Sequence, residues 1–220
     1  MNLKIIENFL PYDLANKLAE DIYETPGDWW SEVFAGGEGA PVYVQGGSLN
    51  SKEQKIRLNS HIDAMFHSPD VVYRFKRSTD HSEGCGCYEC RFREDHILGS
   101  TFKDVMTNEM GIKDPVLFEQ FISVYDQGDF LNVHTDKQRG VAFVLNLTKD
   151  WKPEYGGLLN LIPESNRNEM VSVFPKFNSL VMFSLGDEGV PHFVSEVSQR
   201  APHSRIAISG WFNERGEYEE

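Results

Sequence analysis

Basic residues are scarce in this chain, cysteine is confined to one short stretch, and no long apolar run appears. Lysine and arginine number 21 against 34 aspartates and glutamates, a formal net charge of −13. A nonspecific grip on nucleic acid needs basic side chains to displace counterions, so this balance argues against nucleic acid as a partner. Nothing approaches the roughly 20 consecutive apolar residues of a membrane-crossing helix. Residues 1–9 (MNLKIIENF) lack the basic and apolar regions of an export signal. No membrane partner is therefore expected, and the expected compartment is the cytoplasm. The three cysteines all fall within residues 85–90, which is not a disulfide framework. Internal repeats and low-complexity tracts are missing too.

What is present suffices for a packed core: 220 residues, 40% hydrophobic and 12% aromatic, a size that suits one domain over 1–220. Residues 1–9 read as a strand. Pro11 to Glu24 reads as a helix, with Leu14, Leu18 and Ile22 on one stripe beside Ala15 and Ala19. Residues 28–48 read as a glycine-rich loop with room for a strand at Pro41 to Gln45. Asn50 and Glu53 resemble a capping box ahead of a second helix that stops before Ser68-Pro69. Val71 to Arg77 reads as a strand and 78–93 as an irregular insert. Glu94 to Met110 reads as a third helix, because Leu98, Phe102, Met106 and Met110 recur every fourth residue, with Gly111 as its stop. Strand patterns then follow at 118–126, 130–136, 140–147, 157–162, 170–174, 179–185, 191–197 and 204–212. Strands after a helical half predict an α+β, mainly β fold. It has a double-stranded β-helix (jelly-roll) core over 118–212, helical support over 1–117 on one outer face, and an acidic tail at 213–220.

Within that pattern His134-Thr135-Asp136 stands out. In an extended segment positions i and i+2 point to one face, so one ion can reach both side chains. His-x-Asp arises easily by chance in an acidic chain; its setting gives it weight. A turn signal, Asp126-Gln127-Gly128-Asp129, leads into the strand that carries it. A second period-2 segment, Pro191 to Val197, presents His192. Two histidines and one carboxylate are the ligand set of mononuclear non-haem Fe(II) oxygenases, which leaves three positions open for a chelating cosubstrate and O2. Arg205 begins the last strand and shares a face with Ala207 and Ser209, opposite Ile206 and Ile208. An inward arginine needs a carboxylate partner, and its planar fork matches the distal carboxylate of 2-oxoglutarate. Arg200, in the 198–204 connection, is the second choice for that role.

Five segments in this order resemble the prolyl-hydroxylase-type 2-oxoglutarate oxygenases, and most of all the group that includes the ribosomal-protein prolyl hydroxylases. They are Tyr125 to Asp129 leading into His134-Thr135-Asp136; Leu145-Asn146-Leu147 with Trp151 to Leu159; Pro175 to Phe183; His192 to Val197; and Arg205 to Phe212. The resemblance implies His134, Asp136 and His192 as Fe(II) ligands, Arg205 as the 2-oxoglutarate anchor and Tyr125 as a second donor to that cosubstrate. It also implies O2 as co-reactant, succinate and CO2 as coproducts, and ascorbate as a candidate reductant. Phe193 departs from relatives that carry an acidic residue after the distal histidine. A carboxylate at Asp136, where related halogenases have a small residue, favours hydroxylation.

For the substrate, the resemblance points first to a prolyl residue of a protein or peptide, with 35–48 and 78–93 as candidate walls of a groove. A free amino acid or small metabolite is the alternative, with Lys137 or Arg139 available to clamp its carboxylate. A non-catalytic metal-binding sensor is a third reading, and the acidic balance disfavours demethylation of alkylated bases. One motif lies outside all of these. Cys85, Cys87 and Cys90, flanked by His81 and His96, offer three thiolates and an imidazole to a candidate Zn, although C-x-C-x-x-C is not a standard finger spacing.

Overall fold

The computed structural model describes residues 1–35, 41–45, 72–78, 81, 84–136, 139–163, 168–187 and 189–217, with backbone alone at 35 and 41–45. The helix expected after Asn50 and the side chain of Lys137 lie outside these residues.

The strands are β1 (Leu3–Glu7), β2 (Trp30–Ala35), β3 (Pro41–Gln45), β4 (Tyr73–Ser78), β5 (Pro115–Tyr125), β6 (Phe130–His134), β7 (Val141–Asn146), β8 (Leu159–Leu161), β9 (Val171–Val173), β10 (Ser179–Ser184), β11 (His192–Val194) and β12 (Arg205–Glu214). All pairings are antiparallel, and the main path runs β1-β10-β7-β12-β5-β4-β6-β11-β8-β9, with β2 against β4 and β3 against β2. Strands far apart on this path share one core: Val181 and Phe183 of β10 and Ala142 of β7 pack with Leu159, Leu161, Val173 and Val194 of β8, β9 and β11. The sheet therefore curls over on itself, and the fold is the jelly roll that the strand pattern predicts.

Period-2 alternation sorts the side chains of the curled sheet. On β12, Ile206, Ile208 and Phe212 face an outer core, while Arg205, Ser209 and Trp211 line the inside. On β5, Ile122 and Val124 face out, and Phe121, Ser123 and Tyr125 face in. The helices cover the outer face. In α1 (Tyr12–Glu24), Ala15, Leu18, Ala19 and Ile22 are buried as one stripe. Phe102 meets Phe143 edge-on at 5.5 Å, and Phe143 meets Phe212 at 5.6 Å. Each such buried ring contributes about 1.5–3 kcal/mol of transfer free energy.

Two expectations need correction. The helix at 94–110 is neither continuous nor correctly placed. Helix α2 (Tyr88–Phe92) begins inside the supposedly irregular insert, a wide turn spans Arg93–Ile97, and α3 (Ser100–Val105) starts afresh before a second wide turn over Met106–Met110. Gly99 breaks it: its backbone is extended (ψ 179°), and a Cβ there would stand 2.8 Å from the Asp95 carbonyl. The break shifts the phase, so Ile97 is buried in place of Leu98, which is 41% exposed. The 28–48 segment holds two strands, not one, because β2 is captured by β4, with Val33 opposite Phe75. Within 1–117 the helices are accompanied by β1, β2 and β4, which join the sheet directly. Among the described residues no helix is long and apolar enough to cross a membrane.

Candidate active site

His134 closes β6 and His192 opens β11, and the two are register partners across the ladder. Their rings stand 4.2 Å apart between centroids. Asp136 follows two residues after His134, with Oδ1 3.7 Å from His134 Nε2 and Oδ2 3.4 Å from His192 Nε2. The second strand approaches this closely because Gly189, at φ +74°, lies against Thr135 and Asp136; a Cβ there would meet the Thr135 Cβ at 2.9 Å. The ligand atoms of His134, Asp136 and His192 lie within 4.8 Å of one another. Adjacent ligands of an ion with bonds of about 2.1 Å stand about 3 Å apart, so a small inward movement would close the set on a metal.

The imidazoles are fixed in the required tautomer. His134 Nδ1 is 2.9 Å from the Asn132 carbonyl and His192 Nδ1 is 2.8 Å from the Val190 carbonyl. A carbonyl only accepts, so each Nδ1 carries a proton and each Nε2 is the nitrogen that faces Asp136. Burial, reinforced by His192, lowers the pKa of His134 and keeps it neutral. For Asp136, burial pushes upward, but its interactions with His192, His134 and the Trp211 N–H outweigh it and hold the carboxyl below its usual range.

Trp211 donates Nε1–H to Asp136 Oδ2 at 3.0 Å, a role the sequence reading missed. The signal was available: Trp211 shares the β12 face with Arg205 and Ser209. Partners that orient a metal-binding carboxylate typically contribute 10–100-fold to metal affinity. Trp211→Phe is therefore expected to weaken Fe(II) binding by about that factor, with unchanged far-UV circular dichroism, read by anaerobic iron titration.

Arg205 lies where β12 begins, in register with Tyr125 of β5. It is 2% exposed, its Nη2 reaches Asn146 Oδ1 only at 3.5 Å, and its Nε is buried without a hydrogen-bond partner. Among the described residues no carboxylate pairs with it. A buried guanidinium in that condition is a seat for an anion. The Tyr125 ring stands 5.1 Å from the guanidinium carbon and stacks on Phe75 at 5.1 Å. Burial raises the Tyr125 pKa, so the phenol stays an O–H donor.

Room for Arg205 comes from Gly157. At φ +65° it occupies left-handed space, and a Cβ there would press on Arg205 Cδ at 2.9 Å. Gly157→Ala combines backbone strain with displacement of the arginine. It is expected to destabilise the fold by about 1–3 kcal/mol, measured by urea unfolding, and to weaken anion binding at Arg205.

His134, Asp136, His192, Arg205 and Tyr125 all border one cavity of about 480 Å³. Phe75, Leu131, Phe183 and Val194 supply apolar walls. Arg139 also reaches the cavity, with its guanidinium 3.6 Å above the Phe118 ring and 5.6 Å from that of Trp211. Arg200 lies exposed in its connection, so Arg205 alone of the two stands in the site. The cysteine motif forms a separate cluster at the β4 end of the fold. There His81, not His96, joins Cys85, Cys87 and Cys90, while His96 packs against Phe92 at 5.1 Å.

Residues 120–213 match a family model described as the 2OG-Fe(II) oxygenase superfamily. Prolyl 3-hydroxylase OGFOD1 of Mus musculus is 28% identical over 147 residues, 64% of this chain and 26% of that protein. Prolyl 3,4-dihydroxylase OGFOD1 of Ostreococcus tauri is 33% identical over 101 residues, 41% of this chain and 20% of that protein. The chain thus spans about a quarter and a fifth of the two curated relatives it matches. Among solved structures, a prolyl hydroxylase from Trichoplax adhaerens, in complex with a hypoxia inducible factor oxygen degradation domain peptide fragment, superposes with TM-score 0.60 at 18% identity, covering 99% of this chain and 86% of that one.

Proposed function

We propose that this chain is a 2OG-Fe(II) oxygenase of the prolyl hydroxylase type, which the family match and the prolyl hydroxylase relatives support, and that it hydroxylates a prolyl residue of a protein or peptide, with succinate and CO2 as coproducts. The observation that carries the chemistry is one cavity bordered by both a His-Asp-His set and a buried arginine without a carboxylate partner. The prolyl reading draws on the relatives, prolyl hydroxylases in both curated cases.

In this reading His134, Asp136 and His192 hold Fe(II), with each Nε2 and one or both carboxylate oxygens as donors. The donor set fits: two imidazoles, each with Nε2 turned toward one carboxylate, converging from three positions. When bound, Fe(II) with 2-oxoglutarate and O2 supplies the oxidising power that replaces a C–H bond by C–OH. The protein's own residues orient and shield. Arg205 receives the distal carboxylate of the cosubstrate through its guanidinium, whose Nε–H lacks a partner, and Tyr125 adds its hydroxyl. The Asn132 and Val190 carbonyls keep both imidazoles from turning. Trp211 holds the Asp136 carboxylate in place, and the Phe75, Leu131 and Phe183 walls exclude water from the reacting atoms.

The test is succinate formation by anaerobically Fe(II)-loaded protein given 2-oxoglutarate and O2, with a pool of proline-containing peptides or a pool of free amino acids. Stimulation by the peptides, with a gain of one oxygen on a prolyl residue, is the expected result. Stimulation by the amino acids alone would overturn the peptide reading in favour of a small-molecule hydroxylase.

A further inference from the structure

We propose that Cys85, Cys87, Cys90 and His81 bind one structural Zn(II) ion, at a site separate from the His-Asp-His set and independent of the activity proposed above.

The four ligand atoms lie within 4.8 Å of one another. His81 Nδ1 is 3.5 Å from both Cys85 Sγ and Cys87 Sγ. Thiolates around zinc at about 2.3 Å stand about 3.8 Å apart along a tetrahedral edge, so the cluster already has nearly that size. None of the three thiols is in a disulfide. Soft thiolates with one imidazole in a closed, four-donor arrangement select zinc over the hard cations.

The surroundings match a metal site as well. His81 directs Nδ1 at the sulfurs and Nε2 at Glu89 Oε2, 3.0 Å away. A carboxylate accepting from the far nitrogen of a ligating histidine is the usual outer partner at zinc. Glu89 is 2% exposed in a chain segment where a carboxylate would otherwise be solvated. Its other oxygen accepts from Ser78 Oγ at 2.7 Å and Gln120 Nε2 at 3.0 Å. Ser78 in turn accepts the Ile122 amide N–H at 2.9 Å. This places a buried carboxylate between the cluster and strands β4 and β5, so that its remaining demand is met by His81. Cys87 caps α2, its sulfur accepting the Cys90 amide at 3.4 Å, and the Arg91 guanidinium donates to the Gly86 carbonyl at 2.6 Å. The loop is thus folded around the point where four donors meet. Strand β5, which Glu89 braces, also carries Phe121, Ser123 and Tyr125 of the cavity wall. In this arrangement zinc fixes the 81–92 segment and steadies that wall.

The first test is elemental analysis of the full chain as purified, after dialysis against a carboxylate chelator to strip weakly held metal. About one zinc per chain is expected. An organomercurial should release it as three thiols react. His134→Ala, which disables the other metal set, should keep its zinc, whereas Cys87→Ser should lose it. Glu89→Gln should retain the fold and bind zinc about 10–100-fold more weakly. Cobalt(II) loaded at this site should show thiolate-to-cobalt charge transfer and tetrahedral d–d bands. The proposal is overturned by a zinc-free wild-type chain whose three thiols react freely with a disulfide reagent. It is equally overturned if zinc is lost in His134→Ala and kept in Cys87→Ser. If Cys87→Ser fails to fold, the wild-type stoichiometry and the cobalt spectrum decide.

Discussion

Asp136→Ala is expected to abolish Fe(II) binding and bring succinate formation to background while leaving the fold intact. Asp136 is the only carboxylate in the three-residue set. Its two oxygens stand 3.7 and 3.4 Å from the two imidazole Nε2 atoms. Without it, two neutral nitrogens remain, a weak site for a divalent ion that also prefers charge neutralisation. The fold should tolerate the change because the side chain borders a cavity and is not packed in the core. Far-UV circular dichroism and an anaerobic iron titration on the same preparation separate the two effects. Wild-type iron affinity in Asp136→Ala would remove His134, Asp136 and His192 from the proposed role.

The second large effect concerns Arg205, and it has two opposite signs. In the free protein a buried guanidinium with an unpartnered Nε is a cost that the fold bears. Burial lowers its pKa, with only the Tyr125 phenol opposing. Replacing a buried charge by an apolar side chain of similar length is often neutral or stabilising by about 1–4 kcal/mol. Arg205→Met should therefore leave the Tm of the free protein unchanged or higher. The same substitution removes the proposed partner of the cosubstrate's distal carboxylate. Loss of a buried charge-assisted pair costs about 2–5 kcal/mol, or roughly 30- to 4000-fold in affinity. Saturating 2-oxoglutarate at about 100 times its Kd adds about 2.7 kcal/mol to stability. For a chain of this size that raises Tm by roughly 5–10 °C. The wild type with a redox-inert divalent ion should show that rise, and Arg205→Met should show none. An equal rise in both would assign the carboxylate to another group. A lower Tm for ligand-free Arg205→Met would mark the arginine as a structural element.

Much of this was legible from local pattern. Alternation with period 2 depends only on which side chains must leave water, so the strands at 118–126, 130–136, 140–147 and 204–212 follow from the residues themselves, as does the inward direction of Arg205. The His-x-Asp spacing carries its own geometry once the segment is extended. The helix at 94–110 failed because a repeat of apolar residues every fourth position does not register one glycine. Having no Cβ, Gly99 lets the helix break in a conformation where a side chain would stand 2.8 Å from the Asp95 carbonyl, and the apolar phase resets after it. Strand β2 was missed because its capture by β4 is a non-local pairing with no local signature.

The residues alone thus determined the fold class, the donor types and the presence of an inward cation, since hydrophobic burial and ligand chemistry act residue by residue. Tertiary structure decided what meets what. The β6–β11 ladder brings His192 to His134, Gly189 lets the chain pass close to Asp136, and Trp211 turns out to hold that carboxylate. It decided between His81 and His96 at the cysteine cluster, because the helical turn after Cys87 carries His96 away to Phe92 while Glu89 faces His81. These are contacts between segments distant in sequence or set by the path of a turn. Their energies depend on separations of a few ångströms that no one-dimensional pattern encodes.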